Sequence, residues 1–251
     1  TQEFHRKHYG NRSYESFQKD FEEQNADFDV SEWVELIRAA GAKYAVFVTK
    51  HHDGYNLWPT RNLNPRCPEY HSTRDFVGEL CEGARRAGIR MGLYYSGVFD
   101  WTYQTGPIDG MKNYLRHQDM PAEYVDYAVC QMKELIDRYH PAILWNDIAF
   151  PYGYNVNELF AYYYNRVEDG VTCDRWYQYR VPQTDAEWEV FEESMKGRIF
   201  PPLPDQKPHY DFVTREYEEM EGASLEKWEC TRGIGRSFGF NRTEAGSDYL
   251  T

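Results

Sequence analysis

Short apolar runs recur along this chain, and each follows a segment with helical periodicity. In the clearest unit, Asp29 begins a helix with a capping pair, apolar residues recur at helical spacing as far as Ala40, and Gly41 ends it. The predicted strand Tyr44–Thr49 follows directly. Helix-then-strand repetition gives parallel strands joined by helical crossovers, so this pattern restricts the chain to the α/β class.

The same unit recurs further along the chain. Three further helices are predicted: one begins at Asp75, one begins at Pro121, and one spans Asn157–Val167. Further strands are predicted at Arg90–Tyr95, Ala142–Trp145, Val171–Arg175, Tyr210–Thr214 and Lys227–Thr231. The segment from Tyr177 to His209 interrupts this spacing, and we interpret it as an insertion loop that contains a helix over Asp185–Met195.

Parallel strands of this kind form either an open doubly wound sheet or a (β/α)8 barrel. No Gly-x-Gly-x-x-Gly follows a predicted strand, which argues against a nucleotide-binding sheet. Nearly every predicted strand ends in a side chain suited to catalysis or binding: His51 and His52, Tyr94, Asp147, Arg175 and Glu216. Active sites at the carboxyl ends of many strands are typical of the TIM barrel, so we predict that fold.

Composition limits the classes of partner. The 251 residues carry a formal charge of −13, which argues against nucleic acid or an anionic membrane surface. No apolar run approaches the roughly 20 residues that a membrane helix needs. Aromatic residues make up 17% of the chain, and they could either pack against sugar rings or fill the core. The five dispersed cysteines predict neither a disulfide framework nor a zinc site.

The polar cluster Lys50, His51, His52 and Asp53 follows the first strand and has three readings. The histidines could be surface residues of a turn, metal ligands, or substrate-binding groups. Adjacent strand residues point to opposite faces, so one ion cannot easily bind both. The chain also lacks His-Glu-x-x-His and Cys-x-x-Cys. A metal is therefore the least favoured reading, and no metal or cofactor is predicted.

Two carboxylates follow predicted strands. Asp147 comes directly after an apolar strand beside Trp145, although it could instead be a turn or helix-cap residue. Glu216 lies near further acidic residues, as in a solvated surface run. Two carboxylates from different strands, separated by about 5–5.5 Å, are what retaining glycoside hydrolysis requires.

The chain resembles the α-L-fucosidases of glycoside hydrolase family 29. The motifs that carry the resemblance are KYAVFVTKHHDGYNLW, GLYYSGVFDW, ILWNDIAFP, CDRW, YDFVTREY and KWECTRGIGRSFGFNR. The resemblance implies a retaining exo-glycosidase with a (β/α)8-like barrel and usually a C-terminal β-sandwich. It also implies that no metal or cofactor is needed and that the substrate is a fucosylated oligosaccharide or glycoconjugate.

Matched motif by motif, the resemblance assigns roles to particular residues. Asp147 would be the nucleophile and Glu216 the acid/base, with Glu229 as the main rival for that second role. Asp53 and Trp58 would be structural or would support the site indirectly. The remaining residues would bind fucose: His51, His52, Tyr94, Trp145, Arg175 and, as an apolar wall for the C6 methyl group, Phe238.

The chain departs from the family pattern at both ends. The family's His-Trp-Gly motif and following Glu-Trp pair do not occur before Phe4, and no last strand or β-sandwich is found before Thr251. We therefore expect residues 1–251 to supply strands two to seven of the barrel, as a fragment of a larger gene product. Alone, such a chain should be poorly soluble and nearly inactive. The alternative is a fucose-binding remnant without turnover.

Overall fold

The computed structural model describes residues 2–198, 204, 208–217, 226–239 and 241–249. Its helices are α1 (Gln2–Tyr9), α2 (Phe17–Gln24), α3 (Val30–Ala39), α4 (Phe76–Arg86), α5 (Met111–Arg116), α6 (Ala122–Tyr139), α7 (Val156–Tyr164) and α8 (Asp185–Ser194), with a short 3-10 helix over Gly246–Asp248. Its strands are β1 (Tyr44–Lys50), β2 (Arg90–Ser96), β3 (Ile143–Asp147), β4 (Val171–Thr172), β5 (Val213–Glu216) and β6 (Trp228–Thr231).

The strands form two parallel sheets rather than one closed barrel. β1, β2, β3 and β4 pair in chain order, and β5 pairs with β6. Side-chain hydrogen bonds connect the two sheets: Glu229 on β6 accepts from Trp145 Nε1 at 2.9 Å and from the Tyr44 hydroxyl at 3.0 Å. Just before β5, Asp211 N also donates to Thr172 O at 2.9 Å. The α/β prediction and all six strands are confirmed. Over the ranges described above, barrel closure is not observed.

α3 and α4 begin where the sequence predicts because side chains satisfy their first backbone N–H groups. Asp29 accepts a hydrogen bond from Ser31 N, and Asp75 accepts one from Gly78 N. α6 ends at His140, which adopts the left-handed conformation with φ 48°. These ends place β1, β2 and β3 directly after their helices.

β4 is shorter than the predicted Val171–Arg175, and β5 begins later than predicted. Two carboxylates take over hydrogen bonds that a longer ladder would have made. Asp211 Oδ2 accepts from Thr172 N at 2.8 Å, and Asp174 Oδ1 accepts from Thr214 N at 2.9 Å. Because side chains now satisfy the backbone here, the regular ladder stops early.

A register shift on β1 decides which polar side chains reach the site. Val48 pairs with Tyr94, whereas Lys50 pairs with Tyr95, so the alternation of faces breaks between them. Lys50 consequently points to the helix-covered face, where it is fully buried and its Nζ lies 2.9 Å from Asp100 Oδ2. Lys50 therefore ends the strand as expected, but its ammonium group lies in the core beside Asp100 and not at the surface of the site.

Candidate active site

Planar side chains form a stacked row across the carboxyl ends of the strands. The His51 and Tyr94 rings stack at 5.6 Å, and the Tyr94 and Trp145 rings stack at 5.3 Å. Tyr94 and Trp145 are register partners on β2 and β3, which is why their rings meet. The guanidinium of Arg175 lies 4.9 Å from the Trp145 ring centroid, a cation–π distance. Four predicted site residues thus share one face.

Asp147 lies at the end of β3, and its carboxylate is held by hydrogen-bond donors. Its Oδ2 accepts from the Tyr94 hydroxyl at 2.7 Å. Its Oδ1 accepts from Arg175 Nη1 at 2.9 Å and from Ile148 N at 2.9 Å. Charge-assisted bonds of this kind stabilise an ionised carboxylate in a place that is largely shielded from water. Burial, and then Asp147 itself, raise the pKa of Tyr94, which keeps its hydroxyl protonated as a donor.

The backbone after Asp147 makes a strained turn. Ile148 and Ala149 have φ angles of 58° and 71°, in the left-handed region that a β-branched residue rarely enters. Asn146 Nδ2 holds the turn by donating to Ala149 O at 2.8 Å. A Cβ atom on Gly97 would lie 2.0 Å from the same carbonyl oxygen, so only glycine fits there. The strain is stored beside the carboxylate that the turn orients.

Arg175 connects the two carboxylates that the sequence singles out. Its Nη1 bonds Asp147, and its Nη2 donates to Glu216 Oε1 at 2.8 Å. Its Nε donates to Thr214 Oγ1 at 2.7 Å, and Thr214 in turn donates to Asp174 Oδ1 at 2.8 Å. The planar guanidinium fork is therefore fixed in orientation. Asp147 and Glu216 each bond one of its two terminal nitrogens.

Glu229 occupies a different level of the sheet from Glu216. Thr214 pairs with Glu229, whereas Glu216 pairs with Thr231, so Glu229 lies nearer the amino ends of the strands. Its carboxylate accepts from Trp145 Nε1 at 2.9 Å and from the Tyr44 hydroxyl at 3.0 Å. Burial and the neighbouring Glu229 raise the pKa of Tyr44 to about 12. These contacts place the Glu229 carboxylate at the Nε1 edge of the Trp145 ring.

His52 is more enclosed than its neighbour His51. The two rings lie 4.0 Å apart, and His52 Nδ1 lies 2.8 Å from Ser96 Oγ. Burial, together with the neighbouring His51 and Lys50, lowers the pKa of His52 to about 4, although the nearby Asp147 carboxylate opposes the shift. His52 is therefore a neutral imidazole at ordinary pH.

Three predicted residues stand apart from this cluster. Phe238 is 85% exposed and makes no ring contact with another described residue. Trp58 is fully buried in the core, and Asp53 accepts a hydrogen bond from Tyr55 N.

Ser96 and Thr214, by contrast, contact the site although the sequence did not single them out. Each lies two residues from a predicted site residue on the same strand, so strand alternation could have indicated them.

Within the part of the chain that the structure describes, no group of three or more His, Cys, Asp or Glu side chains could hold an ion. Over that same part, no helix is both long and apolar enough to cross a bilayer.

Comparison with known proteins finds relatives that are described as α-L-fucosidases. The family model described as alpha-L-fucosidase matches residues 1–251. The tissue alpha-L-fucosidase of Rattus norvegicus is 37% identical over 158 residues, covering 60% of this chain and 33% of the relative. The alpha-L-fucosidase of Dictyostelium discoideum is 29% identical over 258 residues, covering 99% of this chain and 50% of the relative. The chain thus spans a third to a half of these relatives.

Solved structures of an α-fucosidase are also similar to this chain. The α-fucosidase of Thermotoga maritima in complex with a mechanism-based inhibitor is 37% identical, with a TM-score of 0.77 over 100% of this chain and 51% of that chain. The same bacterial enzyme in complex with fucose is 36% identical, with a TM-score of 0.76 over the same shares of the two chains.

Proposed function

Because this chain belongs to the α-L-fucosidase family, we propose that it supplies the catalytic site of a retaining enzyme that removes terminal α-L-fucosyl residues from oligosaccharides or glycoconjugates. The observation that carries the proposal is that Asp147 and Glu216 bond the two terminal nitrogens of the same Arg175 guanidinium. They come from different strands and meet where those strands end. A retaining glycosidase needs two such carboxylates with separate roles.

In the first step, the Asp147 carboxylate attacks the anomeric carbon of fucose. The bond to the leaving oxygen breaks, and Glu216 protonates that oxygen, leaving a fucosyl ester on Asp147. In the second step, Glu216 removes a proton from water, which attacks the same carbon and releases Asp147 as the carboxylate. The hydrogen bonds around Asp147 support the first role, and the exposed position of Glu216, open to water and to a leaving group, supports the second.

The other predicted residues would bind the sugar. Tyr94 and Trp145 would line the pocket with the edges of their stacked rings, Arg175 offers fixed donors, and the His51–His52 pair offers ring nitrogens at the same sheet end. Phe238, whose side chain is 85% exposed, is proposed as the wall for the C6 methyl group. The parallel strand order also supports a (β/α)8-type barrel for the complete domain.

The segment 177–209 is proposed to shape access for the remainder of the substrate. Its described part packs against α5, where Leu115, Val181 and Trp188 form one apolar cluster. α5 follows β2 and so belongs to the connections on the carboxyl side of the sheet. Deleting the segment should change the preference among fucosyl disaccharides and spare an aryl fucoside. Equal loss on all substrates would contradict this role.

Proton NMR during hydrolysis of an aryl α-L-fucoside tests the proposed reaction. A retaining enzyme releases α-fucose first, and the β-anomer appears later by mutarotation. Initial release of β-fucose would contradict double displacement. Saturable fucose binding without any release would favour the alternative, a binding protein that lacks turnover.

A further inference from the structure

Ser96, the last residue of β2, is fully buried and contacts two groups through its hydroxyl. The Ser96 Oγ donates its proton to Phe99 O at 2.7 Å and lies 2.8 Å from His52 Nδ1. A hydroxyl group has one proton to donate. Since that proton is used on Phe99 O, the oxygen must accept from His52, and His52 Nδ1 must carry a hydrogen.

This arrangement fixes the tautomer of His52. A neutral imidazole carries one N–H, so with Nδ1 protonated the other nitrogen, Nε2, has a free lone pair. The groups that surround the ring are His51, Phe99, Lys50 and Asp147. Among the residues with described positions, none hydrogen-bonds Nε2. In water the opposite tautomer is the commoner one, so the contact with Ser96 inverts the ordinary preference.

We propose, on the basis of the function proposed above, that Ser96 is a positioning residue that presents His52 Nε2 as a hydrogen-bond acceptor for one hydroxyl group of the bound sugar. The site then recognises that hydroxyl as a donor. Arg175 supplies only donors, and the Tyr94 proton is already used on Asp147. An acceptor at His52 therefore adds a kind of recognition that these two neighbours do not provide, and it selects against a sugar that lacks the hydroxyl or carries fluorine in its place.

The tautomer can be read directly from the ¹⁵N shifts of histidine-labelled protein at pH 7, with the His52 signals assigned by their loss in His52→Gln. We expect a protonated Nδ1 and an unprotonated Nε2 in the unliganded protein. Ser96→Ala should move His52 toward the Nε2-protonated form. The matched control is Thr49→Val, because Thr49 Oγ1 also donates to a buried carbonyl, that of Tyr94, at 2.7 Å, on the neighbouring strand. This control should leave the His52 shifts unchanged.

Activity measurements then test the consequence. Ser96→Ala should lower kcat/KM for an aryl fucoside by roughly tenfold or more, as expected when a buried polar contact is lost. The loss should largely disappear on the one monodeoxy or monofluoro fucoside that lacks the contacted hydroxyl, because the interaction is then already missing. The same loss on every member of the deoxy and fluoro series would overturn the proposal.

These results separate this inference from the proposed function. An Nε2-protonated His52 in the unaltered protein overturns the role of Ser96 even if fucosides are hydrolysed. The expected tautomer in a protein that hydrolyses no fucoside would support the Ser96 contact but contradict the function, and the acceptor role toward fucose would fall with it.

Discussion

The two carboxylates of the site lie in unlike surroundings. Asp147 belongs to the four-stranded sheet, its side chain is 13% exposed, and it is bonded by Tyr94, Arg175 and the backbone N–H of Ile148. Glu216 belongs to the two-stranded sheet, its side chain is 46% exposed, and it accepts a hydrogen bond from Arg175. A group that must remain an anion benefits from fixed donors, whereas a group that exchanges protons with water needs access. The difference between the two sheets therefore matches the difference between the proposed roles.

Removing the enclosed carboxylate should have the largest effect. Asp147→Ala eliminates the group that forms the covalent bond, and kcat should fall by roughly 10⁴-fold or more. Azide should restore part of the activity and give a fucosyl azide of inverted configuration. The control is Asp169→Asn, because Asp169 pairs with Arg90 at the opposite end of the sheet. If this control lost as much activity as Asp147→Ala, the assignment of the nucleophile would be wrong.

Replacing the exposed carboxylate should have an effect that depends on the leaving group. Glu216→Gln should lower kcat/KM by roughly 10²- to 10⁴-fold for a fucoside of a poor leaving group. Dinitrophenyl fucoside, which departs without protonation, should lose much less. Glu229→Gln is the comparison, because its carboxylate is held by Trp145 and Tyr44 and lies nearer the amino ends. Leaving-group dependence in Glu229→Gln instead of Glu216→Gln would reverse the assignment.

On the Asp147 side, Tyr94→Phe removes a single donor while preserving the aromatic ring. Hydrogen bonds to charged groups contribute about 1.5–3 kcal/mol, so kcat/KM should fall by roughly 10- to 100-fold. Circular dichroism should show an intact fold, because the stacking on Trp145 remains. A loss of less than twofold would show that the Tyr94 contact does not matter to the reaction.

On the Glu216 side, Thr214→Val removes the oxygen that accepts from Arg175 Nε. This contact is partly exposed and water can replace it, so we expect a loss of only a few-fold in kcat/KM. A loss larger than that of Tyr94→Phe, measured on the same substrate, would mean that the orientation of Arg175 matters more than the donor on Asp147.

The bounds of the strands around Asp147 could be predicted from sequence more accurately than those of the strands around Glu216. Helix caps at Asp29 and Asp75 and apolar runs located β1, β2 and β3 correctly, because these signals are local. The limits of β4 and β5 depend on Asp174 and Asp211 replacing ladder bonds between segments far apart in sequence, which no local pattern reveals.

The direction in which side chains point was a second feature that the sequence did not predict. The residues of the first polar cluster are adjacent in sequence, yet one register shift sends Lys50 to Asp100 in the core and leaves His51 at the surface. Similarly, the motif GLYYSGVFDW, which contains Ser96, is part of the family resemblance. The role of the Ser96 hydroxyl, however, depends on the positions of His52 and Phe99 in space. The proposed site residues were predicted from sequence pattern and resemblance. Their contacts required the structure.

Trapping with 2-fluoro-fucosyl fluoride tests the central claim most directly, because the fluorine at C2 slows release of a glycosyl-enzyme ester. Peptide mass spectrometry should find one fucosyl adduct on the peptide that contains Asp147, and the adduct should be absent in Asp147→Ala. An adduct on the peptide of Glu216 or Glu229, or none on folded protein that binds fucose, would contradict the assignment of Asp147 as the nucleophile of a retaining fucosidase.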